Sequence, residues 1–313
     1  MVERLFILVN PQAGGGRGKK VAIAVQRHLQ EQNITYRMLM TEYPQHALVL
    51  AEDITKQIQP EHDRLLVIGG DGTLHEVITG LMQANAIIPV GYIGAGTGND
   101  FARALGLPKD PIENLKQFLA LSHPRELELF SYREVHSQLM GTGINSFGFG
   151  FDAAVLALTL NPSSGKKIWN QLGLGKAVYL LAILKAFRHR NSFSADITID
   201  GQIHHFDRLF ILAAMNHPFM GGGIKIDPLS KQNSHELGIL ILHDISFPVI
   251  LQLLPKVFTD GSHIHSHHFI RYSGQSFDIA LDETGHAQVD GELLESKPYN
   301  LHFEMVTYPF WIQ

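Results

Sequence analysis

Apolar runs that end in glycine-rich segments recur through the first 124 residues. Residues 5–9 and 65–68 are continuous apolar runs, which are typical of strands buried on both faces. Apolar residues at helical spacing follow these runs, as at Leu74, Val77 and Ile78. The pattern predicts strands at residues 5–9, 35–40, 65–68 and 87–93 and helices at residues 21–30, 47–57, 73–82, 101–105 and 108–121. This alternation is typical of a Rossmann-like α/β domain, in which helices cover both faces of a parallel sheet.

The stretch from Arg64 to Met82 gives the clearest indication of a binding site. Residues 69–72 read Gly-Gly-Asp-Gly and separate a predicted buried strand from a predicted helix. Thr73 and Glu76 have capping-box spacing, so each can bond an unpaired backbone N–H group at the helix start. Glycines let N–H groups approach an anion, and a helix N-terminus favours negative charge. The stretch therefore predicts a phosphate site, with an ordinary tight turn as the alternative.

Two further glycine-rich loops follow predicted strands, at residues 10–20 and 94–101. The first matches neither the dinucleotide fingerprint nor the P-loop, because Lys19 and Lys20 stand where those motifs need a glycine and a hydroxyl residue, respectively. Ligands of parallel α/β sheets bind outside the carboxyl ends of the strands. We therefore expect all three loops to converge on one crevice and to bind phosphate together.

The pattern changes after about residue 125, where short strand-like segments replace the alternation. They lie at residues 126–132, 137–144, 193–199, 202–214, 237–243, 268–272 and 276–281. Repeated short strands with turn signals between them predict a β-sandwich or barrel. Helical patterns interrupt them at residues 176–189 and 247–258, and the best domain boundary lies near residues 122–124.

Composition narrows the classes of function. The formal net charge of −5 over 313 residues makes nucleic acid an unsuitable partner, and the absence of cysteine excludes disulfides and a thiolate nucleophile. The N-terminal apolar run is too short for a signal peptide, and no window reaches the ~20 apolar residues of a membrane span. We expect a cytoplasmic protein without a transmembrane segment, and contact with a membrane surface stays open.

Several motifs, in order along nearly the whole chain, resemble the diacylglycerol kinase catalytic-domain family, which also includes sphingosine and ceramide kinases. They lie at residues 10–11, 69–73, 96–101, 148–153, at Asn216 with residues 221–223, and at residues 289–292. The likeness is greatest to the soluble bacterial diacylglycerol kinases. It implies an α/β nucleotide domain at residues 1–124, a β-sandwich lipid domain at residues 125–296, and a returning segment at about residues 297–313.

The resemblance also implies a set of site residues. ATP would contact Asn10, Ala13, Gly14, Gly15, Gly16, Thr41, Gly69, Gly70, Asp71, Gly72, Thr73 and Thr97, and Glu76, Gly96 and Asn99 complete the predicted ATP site. Asp100, Glu128 and Asp152 are expected on the substrate side, although Asp152 could instead cap a helix. The implied reaction uses ATP and Mg²⁺ to phosphorylate a lipid hydroxyl at a membrane surface, with diacylglycerol, a precursor in phospholipid biosynthesis, as the leading acceptor. A homodimer is left open.

Asp290 and Glu292 are the predicted catalytic residues. Asp290 matches the position of the family's proton acceptor, and phosphoryl transfer requires a base near the attacking hydroxyl. The alternative for Asp290 is a simple Asp-Gly hairpin turn. Glu292 would help to place Asp290 or hold metal, while Mg²⁺ with Arg17 or Lys19 nearby would neutralise phosphate charge.

The chain departs from the family pattern at two places. Glu128 stands where an aspartate is common, so one carboxylate is kept but is longer. Soluble bacterial members also carry an Asp-Gly-x-Leu-Asp segment that helps to bind a structural Mg²⁺. Here residues 234–238 read Ser-His-Glu-Leu-Gly, so both aspartates are missing. We expect this structural metal site to be weakened or absent, with Glu236 as the one substitute.

Two other features invite a functional interpretation. The histidines at 263, 265, 267 and 268 could share one face of a strand and bind zinc, but a solvated strand fits them better. The predicted helix at residues 176–189, with Trp169, could contact a membrane surface or simply pack on the sandwich.

Two alternatives to a lipid kinase remain at this stage. An NAD kinase shares the Gly-Gly-Asp-Gly loop and the two-domain plan, although residues 99–101 and 148–153 fit the lipid branch better. A catalytically weak nucleotide-binding regulator is suggested by the two missing aspartates. An enzyme is favoured instead by four intact residues, Asp71, Asn99, Asp100 and Asp290.

Overall fold

A computed structural model describes residues 4–137, 139–150, 192–285 and 287–313, with the backbone alone at residues 282–285. Asp152, Trp169 and the helix expected at residues 176–189 lie outside the described residues. The first part of the chain contains β1 (Arg4–Val9), α1 (Ala13–Glu31), β2 (Tyr36–Met40), α2 (His46–Thr55), β3 (Asp63–Gly69), α3 (Asp71–Gln83), β4 (Val90–Gly94), α4 (Asp100–Ala104) and α5 (Pro111–Ala120).

These strands form a parallel sheet in the order β4-β3-β1-β2. Apolar side chains leave both faces of the sheet, since Phe6 and Leu8 belong to one core and Leu5 and Ile7 to another. The helices α2 and α3 contribute to the first core, and α1 and α5 contribute to the second. The expected sheet with helices on both faces is therefore confirmed.

In this part of the chain, β4 and α3 do not begin at the expected residues. β4 begins at Val90 rather than residue 87, because Pro89 has no N–H to donate to a sheet, and Ile87 is 76% exposed. Helix α3 begins at Asp71 rather than Thr73, and no side chain caps its N-terminus. The capping box is therefore wrong, because both of its side chains bond to other segments.

The second part of the described chain is mostly antiparallel. Its elements are β5 (Arg125–Glu134), β6 (Met140–Gly143), β7 (Ser146–Gly150), β8 (Phe193–Ile199), β9 (Gln202–Met215), β10 (Phe219–Met220), β11 (Ile224–Lys225), β12 (Leu237–His243), α6 (Phe247–Phe258), β13 (Phe269–Gly274), β14 (Ser276–Gly285), β15 (Ala287–Val289), β16 (Glu292–Leu293) and β17 (Lys297–Phe310).

Two long strands bring these segments into one sandwich-like unit. β9 pairs with β8 along its first half and with β7 and β12 along its second, and β17 pairs with both β14 and β5. Phe130, Phe147 and Phe303 are fully buried in the core that these strands enclose. The predicted β-sandwich is thus confirmed as the architecture of the second part.

The C-terminal end of β17 reaches the parallel sheet. Phe310 pairs with Val90 of β4, and the N–H of Trp311 donates to the carbonyl oxygen of Val90 over 2.9 Å. The guanidinium of Arg64 lies 4.0 Å from the centre of the Trp311 ring. The last residues of the chain therefore complete the core built from the first.

The histidine-rich segment does not form the expected strand. Residues 262–265 form a short 3-10 helix, and the buried His263 donates from Nε2 to the carbonyl oxygen of Ile226 over 2.8 Å. The rings of His267 and His268 contact each other at a tilt of 38°, with centres 3.9 Å apart. Within the described ranges, no helix is both long and apolar enough to cross a bilayer.

Candidate active site

Three glycine-rich loops meet at the carboxyl ends of β1, β3 and β4. The side-chain amide of Asn10 donates to the hydroxyl of Thr73 over 3.0 Å, which joins the first loop to α3. A methyl group on Gly96 would lie 2.6 Å from the Cα of Gly70, and one on Gly14 would collide with the carbonyl oxygen of Ala95. The expected convergence on one edge is therefore confirmed, and only glycine allows such close packing there.

The first loop borders open space. Gly14, Gly15 and Gly16 all have positive φ angles, between 59° and 99°, which other residues rarely adopt. A side chain at Gly15 or Gly16 would meet nothing within 4 Å. Arg17, in the following turn of α1, is exposed, as is Lys19. The loop has the room and the neighbouring positive charge that a phosphate group requires.

Asn99 shapes the third loop through its own side chain. Its Oδ1 accepts from the N–H of Gly96 over 2.8 Å, and its Nδ2 donates to the carbonyl oxygen of Gly96 over 3.1 Å. Asn99 has a φ of 53°, a left-handed conformation that asparagine tolerates better than most residues. The neighbouring Thr97 is exposed at the edge of the same loop.

Asp71 links the second loop to the third. Its two carboxylate oxygens accept from the N–H groups of Asp100, over 3.0 Å, and Phe101, over 3.2 Å. Burial, with a smaller effect from the charge of Asp100, raises the pKa of Asp71 from 3.8 to about 6. Asp71 and Asp100 therefore concentrate negative charge in this part of the crevice.

Asp100 continues the chain of contacts to the sandwich. Its Oδ2 accepts from the N–H of Gly222 over 2.8 Å, while its Oδ1 is buried and has no hydrogen-bond partner. A methyl group on Gly98 would lie 3.2 Å from the Cα of Gly222, so the two loops touch. Burial raises the pKa of Asp100 as well. The substrate-side carboxylate predicted here thus lies where the two parts of the chain meet.

Asp290 lies in a tight turn of the hairpin between β15 and β16. Both Asp290 and Gly291 have positive φ angles, 50° and 90°, as a two-residue type I′ hairpin requires. The hairpin interpretation is therefore right for the backbone. The side chain does more than form a turn, because it is fully buried and bonds to His75.

Four donors surround the Asp290 carboxylate. Oδ1 accepts from the N–H groups of Asn145, over 2.8 Å, and Ser146, over 3.0 Å. Oδ2 accepts from the N–H of Ile144 over 2.7 Å and from Nδ1 of His75 over 2.8 Å. A carboxylate has about four lone-pair sites, so all of them are used.

His75 connects this carboxylate to α3, one helical turn beyond Asp71. Burial opposes the charged form of its imidazole, but the hydrogen bond and charge of Asp290 outweigh burial, so the pKa of His75 is raised. Glu292 and Glu76 act in the same direction. The helix that follows the Gly-Gly-Asp-Gly loop is thereby tied to a residue 215 positions later in the chain.

A second buried histidine, His217, contacts the segment at residues 144–146 that donates to Asp290. His217 is fully buried, and burial lowers its pKa to about 4, so the ring is neutral. Its Nδ1 accepts from the N–H of Phe219, which leaves Nε2 to donate to Oδ1 of Asn145 over 2.6 Å. Asn216 donates to the carbonyl oxygen of Ile144 over 2.9 Å. These contacts fix the backbone whose N–H groups hold Asp290.

The remaining predicted residues lie around this centre. Glu76 accepts from the N–H groups of Gln45, over 3.2 Å, and Ala47, over 3.1 Å, so it anchors the start of α2 rather than capping α3. The N–H of Thr41 donates to the carbonyl oxygen of Val9, which places it next to the first loop. Glu292 is partly exposed at the start of β16.

Glu128 fastens a loop of the sandwich. Its Oε1 is 2.5 Å from Nδ1 of His235, and its Oε2 accepts from the N–H of His235 over 2.9 Å. A methyl group on Gly238 would lie 2.7 Å from Oδ2 of Asp227, which is already paired with Arg271. Protein donors therefore occupy the carboxylates of both Glu128 and Asp227.

The described ranges also contain no group of three or more His, Asp or Glu side chains arranged to hold a metal ion. We accordingly assign no protein ligand to Mg²⁺.

His75, Asn145 and His217 are the members of this centre that sequence reasoning missed. His75 stands between Thr73 and Glu76 in a helix whose apolar positions were easily recognised. A buried polar residue one turn after a phosphate loop is the signal that could have drawn attention to it. Asn145 and His217 carry no comparable local signal.

Comparison with known proteins places both parts of the chain in known domain families. The family model described as "Diacylglycerol kinase catalytic domain" matches residues 4–132, and "YegS C-terminal NAD kinase beta sandwich-like domain" matches residues 146–307. "Putative lipid kinase YtlR" of Bacillus subtilis is 29% identical over 298 residues, covering 95% of each chain. "Diacylglycerol kinase" of the same organism is 26% identical over 295 residues, covering 93% of this chain and 90% of the relative.

Solved structures share the fold. A "putative diacylglycerol kinase from Bacillus anthracis str. Sterne" superposes with a TM-score of 0.76 at 20% identity, over 99% of this chain and 95% of that one. Yeast NADH kinase superposes with a TM-score of 0.52 at 14% identity, over 99% and 82%. The two family models together account for both parts of the described chain. The protein therefore belongs to the diacylglycerol kinase catalytic-domain family.

Proposed function

We propose that this protein is an ATP-dependent lipid kinase that transfers the γ-phosphate of ATP to a lipid hydroxyl, with diacylglycerol as the first acceptor to test and phosphatidate as its product. The observation that carries the proposal is the meeting of three glycine-rich loops with a buried carboxylate, Asp290, delivered from the far end of the chain. Phosphoryl transfer depends on such positioning together with charge stabilisation.

ATP would lie along the edge where the three loops touch. The predicted contacts are Asn10, residues 13–16, Thr41, residues 69–73, Gly96, Thr97 and Asn99. Backbone N–H groups of glycine-rich segments and exposed Arg17 and Lys19 suit a triphosphate. Bound Mg²⁺ would neutralise phosphate charge, and it would arrive with the nucleotide, since we assign it no protein ligand.

The lipid would approach from the sandwich. The proposal keeps residues 1–124 with 297–313 as the ATP domain and residues 125–296 as the lipid domain. Asp100 lies at their junction, where its carboxylate bonds to the N–H of Gly222. We propose that the protein acts at a membrane surface without crossing it.

Asp290 is the carboxylate that would drive removal of the hydroxyl proton, and Glu292 would help to place it. Three N–H groups and a histidine donate to the Asp290 carboxylate and fix its position. A fixed negative charge at this point favours any group that gains a proton beside it. Loss of this charge should therefore slow the chemical step more than it weakens nucleotide binding.

The test is transfer of labelled γ-phosphate from ATP to lipid, resolved by thin-layer chromatography. Purified protein would be given diacylglycerol, ceramide, sphingosine, a mixed lipid extract or NAD in separate reactions. We expect label in diacylglycerol and a fall of about 10²–10⁴-fold in kcat for Asp290→Asn. Asp200→Asn is the matched control, since Asp200 and Gly201 form an exposed Asp-Gly turn whose φ angles are also positive, at 50° and 76°.

Other results would redirect the assignment. Label in NAD and in none of the lipids would make the protein an NAD kinase. ATP binding without transfer to any acceptor, unaffected by Asp290→Asn, would make it a regulator.

A further inference from the structure

Asp290 has no free lone pair with which to take a proton from a substrate. Its four acceptor sites already bond to three backbone N–H groups and to His75, at 2.7–3.0 Å. Its side chain has no exposed surface. If Asp290 took up a proton, one of these bonds would break and a buried donor would lose its acceptor, which is unfavourable.

His75 has the atom that Asp290 lacks. Nδ1 is committed to Asp290, which leaves Nε2 as the acceptor of the neutral ring. No described residue bonds to Nε2, and this nitrogen is absent from the fully buried polar atoms that lack a partner. The His75 side chain is 8% exposed, so the ring is not fully enclosed.

The location of the ring fits a role at the reacting atoms. His75 follows Asp71 by four residues on α3, so both side chains lie on one face of the helix. Asp71 is in the Gly-Gly-Asp-Gly loop, and the charge of Asp290 acts on it as well. His75 is therefore on the same face of α3 as the residue in the loop proposed to hold phosphate.

We propose that His75, not Asp290, receives the proton of the acceptor hydroxyl, with Asp290 as the positioning residue that orients the ring and stabilises its charged form. This inference rests on the proposed lipid kinase function and assigns the proton-accepting atom within it. The arrangement is that of an Asp–His pair in which the carboxylate acts only through the imidazole.

The step balances without any further reagent. The O–H bond of the acceptor breaks and its proton moves to Nε2 of His75, while the oxygen lone pair forms the new bond to the γ-phosphorus. The bond between that phosphorus and the bridging oxygen of ADP breaks, and ADP leaves with the electron pair. The imidazolium then releases its proton to water through the exposed edge of the ring.

Charged groups around the ring set the direction of the pH dependence. Asp290 and Glu292 act from the β15–β16 hairpin and Glu76 acts from α3, and all three raise the pKa of His75 against the effect of burial. Since Nε2 must be unprotonated to accept a proton, kcat/KM for the lipid should rise with pH through a pKa above 6.5 and then level.

Two substitutions separate proton acceptance from simple hydrogen bonding. His75→Asn keeps a donor near the position of Nδ1 but has no Nε2, whereas His75→Leu removes both. We expect His75→Asn to lose about 10²–10⁴-fold in kcat on the plateau and to retain its affinity for ATP, with the rise through the histidine pKa abolished. Retention of wild-type kcat by His75→Asn would overturn the inference and leave His75 as a hydrogen-bond donor only.

A measurement without lipid gives an independent answer. Histidine-labelled protein would be titrated by NMR between about pH 5 and 9, the range in which histidines change charge. We expect Asp290→Asn to lower the pKa of His75 and MgADP to shift its resonance. The inference would be overturned if the pKa of His75 were unchanged in Asp290→Asn, or if MgADP did not shift the His75 resonance. A wild-type protein that phosphorylates no lipid would remove the proposed function, whereas an active His75→Asn would remove this inference alone.

Discussion

Replacing Asp71 by asparagine should change how protein stability depends on pH. In the folded protein the pKa of Asp71 rises from 3.8 to about 6, first because of burial and then because of the charge of Asp100. That difference of about 2.2, at about 1.4 kcal/mol for each tenfold change in proton affinity, corresponds to about 3 kcal/mol. The ionised carboxylate therefore lowers the free energy of unfolding by about this amount at neutral pH.

The sign follows from proton counting. Between about pH 4 and pH 6 the folded protein binds more protons at Asp71 than the unfolded chain does, so stability falls as pH rises through this window. The asparagine of the variant has no proton to lose and should not show this fall. The variant instead loses one acceptor, because the N–H groups of Asp100 and Phe101 now face one oxygen and one amide, which costs about 1–3 kcal/mol.

The assay is urea unfolding of wild type and Asp71→Asn at a series of pH values, without nucleotide. We expect the variant to be the less stable protein near pH 4 and the difference to move in its favour by about 3 kcal/mol by pH 7. Asp53→Asn, at an exposed carboxylate, controls for the change in net charge. A stability difference that stays constant across this range would refute the reasoning.

Three further outcomes can be checked. Gly96→Ala should lower the free energy of unfolding by about 1–3 kcal/mol and weaken ATP binding, because the new methyl group would push against the neighbouring loop. The control, Gly274→Ala, adds a methyl group with only an ordinary 3.6 Å contact, so stability and ATP binding should stay nearly unchanged. Thermal unfolding measures the stability and calorimetry measures the binding. EDTA should leave the unfolding temperature of the nucleotide-free protein unaltered, since His235 already pairs with Glu128. If EDTA lowers the unfolding temperature and Mg²⁺ restores it, the prediction is wrong. His235→Ala should lower stability by about 1–3 kcal/mol by leaving a buried carboxylate short of donors, with His265→Ala as the exposed control.

The fold was accessible to sequence reasoning where burial imposes a simple pattern. Residues 65–68 are apolar without interruption because both faces of their strand are covered, and the pattern alone identified them. The start of β4 was predicted too early because Ile87 and Ile88 extend the apolar run toward the N-terminus. Pro89, which has no N–H to donate, separates them from the strand that begins at Val90.

The site was accessible only in part, for a related reason. Glycines announce a loop, and the common edge of a parallel sheet brings three such loops together without any further information. Asp290 could be named from a family pattern, but its partners could not: His75 lies 215 residues away, and three donors are backbone groups of a kind that nearly every residue has. Glu76 was given a local cap because its partners, Gln45 and Ala47, belong to another segment of the chain.

The return of β17 to the first sheet also has a consequence for how the chain matures. Until Phe310 and Trp311 leave the ribosome, β4 is the open edge of the parallel sheet and Arg64 lacks the aromatic ring that covers it. The parallel sheet, built from the first residues to be synthesised, is therefore completed only by the last strand. An unpaired strand edge can pair with another chain, so the pairing of β17 with β4 also removes a site for aggregation.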